Sequence, residues 1–116
     1  GEDRSVAVSD SMCASGLGDG EYELGGTTVY VKDGKALLAD GTIAASTTNI
    51  FAEFRNIISF GVPVRQAVKS CTINPARAIG VDDVTGSIAV GKRADFTVLS
   101  SDLKELECVY IKGKRI

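Results

Sequence analysis

Asp10 is the side chain in this chain that is best placed for acid–base chemistry. It ends the short apolar run of residues 5–10 and has serines, Ser9 and Ser11, on either side. A short β-branched run without polar alternation is typical of a strand buried on both faces, and α/β sheets and barrels bind ligands at the carboxyl ends of their strands. A carboxylate there can accept a proton and, once protonated, donate one. Alternatively, Asp10 is a loop-forming or helix-capping aspartate that follows a strand.

The composition narrows the classes of function. The 116 residues contain no histidine, so the chain itself supplies neither the imidazoles of a typical catalytic metal site nor a Ser-His-Asp triad. Its 13 basic and 15 acidic residues form no block of one sign, which predicts neither a nucleic-acid nor a membrane partner. The three widely spaced cysteines, Cys13, Cys71 and Cys108, are expected to be small buried hydrophobes in a reducing compartment.

The elements that must position Asp10 begin with hairpins. Gly25-Gly26 and Asp33-Gly34 are strong two-residue turn signals because both turn positions favour positive φ. They separate three strand-like runs, which predicts a three-stranded antiparallel meander closed by Asp40-Gly41. The runs are residues 21–24, 27–32 and 35–38.

Beyond residue 46 the apolar period changes to that of helices. A first helix is predicted with Thr47 or Thr48 as its N-cap and Gly61 as its stop. Pro63 then fits the start of a second helix, which Asn74-Pro75 is expected to break. The apolar face of the first helix indicates core packing and consists of Ile50, Phe51, Phe54, Ile57 and Ile58.

The last third returns to strands. Residues 95–99 and 107–111 are predicted strands, and the second pairs with 114–116 around Lys112-Gly113. The alternation of Phe96, Val98, Val109 and Ile111 predicts one buried face. Helices flanked by two β-regions give an α+β chain, and a parallel strand without a partner of its kind predicts a fragment of a longer protein.

Six segments together resemble N-acetylglucosamine-6-phosphate deacetylases, aligned in order with the C-terminal third of that family. Three of them point to the deacetylases themselves, and a fourth, Arg55-Asn56, accompanies them. The Asn-Pro-Ala and Gly-x-Ile-x-x-Gly-Lys-x-Ala-Asp segments occur widely among metal-dependent amidohydrolases. In this sequence the specific segments are VSDS at 8–11, GDGEYELGG at 18–26 and DGTIAAS at 40–46, and the widespread ones are NPARAIG at 74–80 and GSIAVGKRAD at 86–95.

The resemblance implies an α/β fold, a (β/α)8 barrel with a small β-sandwich built from both chain ends. Residues 1–80 would be the end of the barrel, with its last strand, inserted hairpins and closing helices, and residues 81–116 the C-terminal strands of the sandwich. It also implies the family's reaction in amino-sugar catabolism, hydrolysis of the acetamide of N-acetylglucosamine 6-phosphate to glucosamine 6-phosphate and acetate. The implied partner is this small sugar phosphate, and the implied protein is a cytoplasmic homo-oligomer, a dimer.

The same resemblance implies the site residues. Asp10 matches the catalytic aspartate, which takes a proton from a metal-activated water and later gives one to the leaving amine. Ile43, Ala44 and Ala45 match a loop that contacts the sugar, and the family usually has Gly where this chain has Ala45. The divalent metal, zinc or similar, belongs to the intact enzyme and has no ligands in this chain, which alone is expected to be inactive. The alternatives are another amidohydrolase or a catalytically silent, self-associating module.

Overall fold

The computed structural model describes residues 1–116, which form seven strands and three helices in an α+β arrangement. The chain divides into two compact units: the hairpin unit, Val8–Glu53, and the helical unit, Gly1–Ala7 with Phe54–Ile116. The elements are β1 (Gly20–Leu24), β2 (Thr27–Lys32), β3 (Lys35–Leu37), β4 (Ile43–Ser46), α1 (Ile50–Ser59), α2 (Val64–Cys71), α3 (Ile73–Ala78), β5 (Phe96–Leu99), β6 (Leu106–Ile111) and β7 (Lys114–Arg115).

The hairpin unit is an antiparallel meander in the order β1-β2-β3-β4. Both predicted turns are confirmed, since Gly25-Gly26 has φ of 58° and 85° and Asp33-Gly34 has φ of 50° and 73°. Along β2, Val29 and Val31 are buried while their neighbours are exposed, the period of two expected for a half-buried strand. The core that results consists of Met12, Ala14, Val29, Val31 and Ala36.

Strand β4 lies where the sequence predicts a loop at residues 43–45. Ser46 pairs with Lys35, Ala45 with Ala36 and Ile43 with Leu37, so one residue of β4, Ala44, is left over as a β-bulge. A short run centred on two alanines carries little intrinsic strand preference. Pairing with β3 supplies the hydrogen bonds that make it a strand.

Residues 5–10 are not the buried strand that the sequence predicts. The segment is extended, but Val6 is 43% exposed and Val8 71% exposed. In the helical unit the Ala7 N–H donates to the Ser70 carbonyl at 2.9 Å. A parallel strand needs neighbouring strands on either side for its hydrogen bonds, and of residues 5–10 only Asp10 is bonded to a strand, through its carbonyl and the Ser46 N–H of β4.

Helix α1 begins one residue later than the predicted caps allow. The side-chain Oδ1 of Asn49 accepts a hydrogen bond from the Ala52 N–H at 3.0 Å, and its carbonyl accepts one from the Glu53 N–H at 3.1 Å. Asn49 is therefore the N-cap, rather than Thr47 or Thr48. The predicted stop is confirmed, because Gly61 has a φ of 87° just after the helix.

The break between α2 and α3 lies at Thr72 instead of at Asn74-Pro75. Pro63 directly precedes α2, close to its predicted position, whereas Pro75 is the third residue of α3. Proline is tolerated there because the first-turn N–H groups of a helix have no intrahelical partner. None of the three helices has the length and apolar content needed to cross a lipid bilayer.

The second sheet, β5-β6-β7, lies in the helical unit. The turn at Lys112-Gly113 is confirmed, but the prediction of one buried face is wrong. Phe96 pairs with Tyr110, so their rings share a face and stack with centroids 4.6 Å apart. Ile111 lies on the opposite face of β6 and is 50% exposed, and Phe96 is 38% exposed. Alternation along single strands could not predict this register.

The cysteines also differ from the expectation of full burial. Cys13 is exposed, and its Sγ contacts the Glu23 carbonyl at 3.3 Å, while Cys71 and Cys108 are half-buried. Partial burial raises the pKa of the Cys71 thiol. All three are free thiols, so none contributes a disulfide to either unit.

Candidate active site

Asp10 and β4 lie side by side in the hairpin unit. The Ser46 N–H donates to the Asp10 carbonyl at 2.9 Å, and the Met12 N–H donates to the Ser46 carbonyl at 3.0 Å. Between these bonds Ser11 forms a parallel bridge with Ser46. The structure therefore brings the predicted acid–base residue next to the strand that carries all three predicted substrate residues.

The backbone of Asp10 is in the left-handed region, with φ at 51°. Aspartate is among the non-glycine residues that adopt this conformation most often, at a cost of about 1–3 kcal/mol that the surrounding structure has to offset. The two flanking hydrogen bonds to Ser46 hold the segment in place. The Asp10 side chain is exposed at the surface of the unit, where a carboxylate can meet an external reactant.

The three residues of the predicted substrate loop differ in what they present. The Ile43 side chain is 76% exposed. Ala44 and Ala45 are partly buried and pack against the core of the hairpin unit. Ala44 is the bulged residue, and a bulge changes the direction in which a strand presents its groups.

A hydrogen bond fixes the turn that leads into β4. The Thr42 N–H donates to Asp40 Oδ1 at 2.9 Å, and this bond holds the pKa of the Asp40 carboxyl below its usual range. An aspartate that bonds the backbone two residues on is a common turn-forming device. The predicted turn at Asp40-Gly41 is confirmed, but the prediction that it closes a three-stranded meander is wrong, because it leads into β4 as a fourth strand.

Sequence reasoning missed the polar groups that follow β4. Thr48 Oγ1 donates to Glu53 Oε1 at 2.6 Å and lies 2.8 Å from Ser46 Oγ, which also accepts from the Thr48 N–H at 2.9 Å. Ser11 Oγ donates to the Thr48 carbonyl, and Ser15 Oγ contacts the same carbonyl at 3.1 Å. The signal was four consecutive polar residues, 46–49, directly after an apolar run. We call Ser11, Ser15, Ser46, Thr48 and Glu53 the hydroxyl network.

The residues present do not fit a metal ion. No group of three or more histidine, cysteine, aspartate or glutamate side chains comes together in the structure. Asp10 is the only carboxylate among the residues that pair directly with Ser46. A single carboxylate offers fewer ligands than zinc takes from a protein site.

Comparison with known proteins places the chain in a family. The profile of the Amidohydrolase family matches residues 28–116, which is most of the chain. The chain belongs to the amidohydrolase family. Members of this family are generally metal-dependent.

Individual relatives are deacetylases of sugar phosphates. The chain is 37% identical over 114 residues to the putative N-acetylgalactosamine-6-phosphate deacetylase of Escherichia coli K12. It is 39% identical over 103 residues to the N-acetylglucosamine-6-phosphate deacetylase of Bacillus subtilis. A Mycobacterium smegmatis N-acetyl-D-glucosamine-6-phosphate deacetylase, solved as an aspartate-to-alanine variant in complex with that sugar phosphate, superposes with a TM-score of 0.90 at 36% identity.

The matches cover nearly all of this chain but differ in how much of each relative they cover. The match to the E. coli relative covers 97% of this chain and 68% of that protein. The match to the B. subtilis protein covers 88% of this chain but only 26% of that protein. The M. smegmatis structure is covered to 31%, against 99% of this chain. This amidohydrolase chain thus spans less than a third of two of the three deacetylases that it resembles.

Proposed function

We propose that this chain contributes Asp10 to an enzyme that removes the acetyl group from an N-acetylhexosamine 6-phosphate. One observation carries the proposal: the exposed Asp10 is held directly beside β4, in a chain that resembles sugar-phosphate deacetylases along almost its whole length. Asp10 and residues 43–45 were predicted from separate parts of the sequence, and Ser46, the last residue of β4, bonds to the Asp10 backbone. In this proposal Asp10 is the general acid and base.

The carboxylate of Asp10 performs two proton transfers in the proposed reaction. When ionised, it takes a proton from the water whose oxygen attacks the acetamide carbonyl carbon. It then gives that proton to the amide nitrogen as the C–N bond breaks, so that acetate and the hexosamine 6-phosphate leave. The left-handed backbone of Asp10 and the hydrogen bond from the Ser46 N–H to its carbonyl hold the carboxylate at a defined place for both transfers.

Residues 43–45 are proposed to contact the sugar. Ile43 offers an exposed side chain, while Ala44 and Ala45 turn their methyl groups to the core and offer backbone groups. Backbone N–H and C=O groups can orient a sugar hydroxyl or an acetamide through hydrogen bonds. The bulge at Ala44 supports this proposal, because bulges are over-represented next to active sites.

The divalent metal, zinc or similar, is proposed for the intact enzyme only. Because the residues of this chain do not fit a metal ion, its ligands would have to come from residues outside the 116 described. Both proton transfers proposed for Asp10 use only its own carboxylate. We expect this chain alone to release no acetate.

We also propose the finer architecture that the resemblance implies. Residues 1–80 would close a (β/α)8 barrel, and residues 81–116 would complete a small β-sandwich. The exposed Val6 and Val8 support the first part, since strands flanking residues 5–10 would cover them. The intact protein is proposed to act in the cytoplasm as a homodimer on a small sugar phosphate, without a nucleic-acid or membrane partner.

A hybrid protein tests the activity. The segment of the B. subtilis relative that precedes the matched region would be joined to this chain, and acetate release would be measured with N-acetylglucosamine 6-phosphate and with N-acetylgalactosamine 6-phosphate. We expect activity on at least one sugar and a fall in kcat of about 10²–10⁴-fold for Asp10→Asn. Asp83→Asn, at an exposed aspartate of the helical unit, is the matched control.

The two sugars separate the candidate substrates. Relatives named for each of them match this chain, so the ratio of the two kcat/KM values assigns the substrate class. Activity on another amide but on neither sugar would support the second candidate, a different amidohydrolase. Full activity of the Asp10→Asn hybrid would overturn the role of Asp10.

Exposed apolar side chains favour one non-enzymatic alternative, a self-associating module. Val8 is 71% exposed, and Ile88 and Val90 are almost fully exposed. Exposed apolar groups and open strand edges tend to pair with another copy. Sedimentation of this chain over a range of concentrations tests the alternative: a rising mass supports it, and a constant monomer mass contradicts it.

A further inference from the structure

We infer that Thr48 is a positioning residue for Asp10 and acts through Ser46. This inference rests on the proposed function of Asp10 as the acid–base residue. No hydrogen bond joins Thr48 directly to Asp10. Its effect on Asp10 is transmitted through the hydroxyl network. All of the residues involved belong to the hairpin unit.

The first step of the argument is that Ser46 holds the backbone around Asp10. Its N–H donates to the Asp10 carbonyl at 2.9 Å, and its carbonyl accepts from the Met12 N–H at 3.0 Å. Asp10 has a φ of 51°, a conformation that persists only when the surroundings hold it. Because an aspartate side chain has only two rotatable bonds, fixing its backbone largely fixes the region its carboxylate can reach.

The second step is that Thr48 holds Ser46. The Thr48 N–H donates to Ser46 Oγ at 2.9 Å, and the two hydroxyl oxygens lie 2.8 Å apart. Thr48 Oγ1 also donates to Glu53 Oε1 at 2.6 Å. With its proton given to Glu53, Thr48 Oγ1 can only accept from Ser46, so the Ser46 hydroxyl points towards Thr48.

The third step is that the hydroxyl network ends at Glu53, a residue of helix α1. Glu53 lies in the first turn of α1, and Asn49 caps the same turn. A hydrogen bond whose acceptor is a carboxylate is shorter and stronger than one between neutral groups. The segment bearing Asp10 is thereby tied to the start of a helix through Ser46, Thr48 and Glu53.

Thr47 offers a matched control one residue away. Its Oγ1 donates to the Gly34 carbonyl at 2.6 Å and takes no part in the hydroxyl network. Thr47→Val and Thr48→Val remove the same hydroxyl group from the same residue type. The first deletes one side-chain hydrogen bond and the second deletes two. A role limited to general stability predicts similar effects for both.

The test combines kinetics of the hybrid protein with hydrogen exchange in this chain. We expect Thr48→Val to lower kcat about tenfold with KM within about twofold, and Thr48→Ser to restore kcat. We also expect Thr48→Val to speed the exchange of the Ser46 and Met12 amides about fivefold, as the loss of one hydrogen bond would. Thr47→Val should change neither kcat nor the exchange of these two amides.

The two readouts separate the outcomes. Equal effects of the two valine variants, or unchanged exchange at Ser46 and Met12 in Thr48→Val, would overturn the inference. If the unsubstituted hybrid deacetylates neither sugar, the proposed function fails instead, and the hydrogen exchange alone then decides whether Thr48 fixes the Asp10 backbone. A variant too unstable to assay would be replaced by Ser46→Ala, which removes the intermediate hydroxyl and is expected to give the same pattern.

Discussion

Asn74 joins helix α3 to the beginning of the chain. Its Nδ2 donates to the Ser5 carbonyl at 2.8 Å, a contact between residues 69 positions apart, and also to the Glu2 carbonyl at 2.9 Å. Asn74 is only 3% exposed, and its Oδ1 has no hydrogen-bond partner. A buried amide that satisfies two backbone carbonyls fixes the path of residues 2–5 within the helical unit.

Asn74→Ala should destabilise the chain by about 2 kcal/mol, because two buried hydrogen bonds are lost while one unsatisfied oxygen is removed. Urea unfolding followed by circular dichroism measures the change in the free energy of unfolding. Asn56→Ala, at an exposed position of α1, is the control and should stay within about 0.5 kcal/mol of the parent. Equal effects would contradict the anchoring role of Asn74.

Gly86 sits against the backbone of α3. A Cβ there would lie 2.7 Å from the Ala76 Cβ and 3.2 Å from the Thr72 carbonyl oxygen, and its φ is +85°. Gly86→Ala should therefore cost the left-handed strain and an additional clash of about 1–3 kcal/mol. Gly91→Ala, at a φ of +88° with nothing within 4 Å, should cost the strain alone. Thermal unfolding of both variants checks the difference, and identical Tm values would show that Gly86 is not close-packed.

Lys69 gives the stability of the helical unit a dependence on pH at both ends of the scale. Its Nζ lies 2.7 Å from Asp3 Oδ1 and 2.8 Å from Glu2 Oε1. The hydrogen bond from Lys69 lowers the pKa of Asp3, and the same bond raises the pKa of Lys69. The lowered carboxyl pKa adds stability above about pH 4 that is lost as the pH falls, and the raised amine pKa adds stability below about pH 10.4 that is lost as the pH rises.

Lys69→Met should flatten both limbs of this pH profile, measured as the urea midpoint between about pH 2.5 and pH 11. The effect will be small because these groups are near the surface, where solvent screens them. Lys104→Met is the control: Lys104 pairs with Asp102 at 3.7 Å, and the pKa of Asp102 is lowered first by the Ser100 hydroxyl. Asp40 and Asp102 also have lowered pKa values, so part of the acid limb will remain in Lys69→Met. Two limbs as steep as those of the parent would refute the assignment.

Asn49 is the N-cap of α1, so Asn49→Ala should cost about 1 kcal/mol of stability. Asn49→Asp should retain the cap, because its side-chain oxygen also accepts from the Ala52 N–H and its negative charge suits a helix N-terminus. Chemical denaturation of the two variants measures the difference. Equal losses for alanine and aspartate would argue against capping.

The parts of the fold that the sequence predicted are those decided over a few residues. Gly25-Gly26, Asp33-Gly34 and Lys112-Gly113 form turns because both turn positions require positive φ, which few residue types accept. The stop of α1 at Gly61 is likewise a local property. The core packing predicted for the apolar face of α1 is only partly correct, because Phe54 alone is buried and Ile50 is 44% exposed. The N-cap of α1 is Asn49 rather than the predicted Thr47 or Thr48, because several neighbouring polar residues are suitable caps.

The parts that the sequence did not predict depend on pairing partners far away in the chain. β4 is a strand because β3 pairs with it, and the faces of β5 and β6 follow from the register between Phe96 and Tyr110. Residues 5–10 have strand-like composition but stay outside the sheets, because composition cannot supply the neighbouring strands that a parallel strand needs.

The candidate site likewise combines features that the sequence determines with features that depend on the folded structure. The sequence by itself determined that Asp10 is a carboxylate at the end of an apolar run, and that residues 40–46 resemble those of the deacetylases. Only the tertiary structure decided that Ser46 joins the two, whereas the bonds of Thr48 to Ser46 and Glu53 are local contacts two and five positions apart. Residue type is written locally, whereas a hydrogen bond across more than 30 positions exists only after the chain has folded and brought its donor and acceptor within 3 Å.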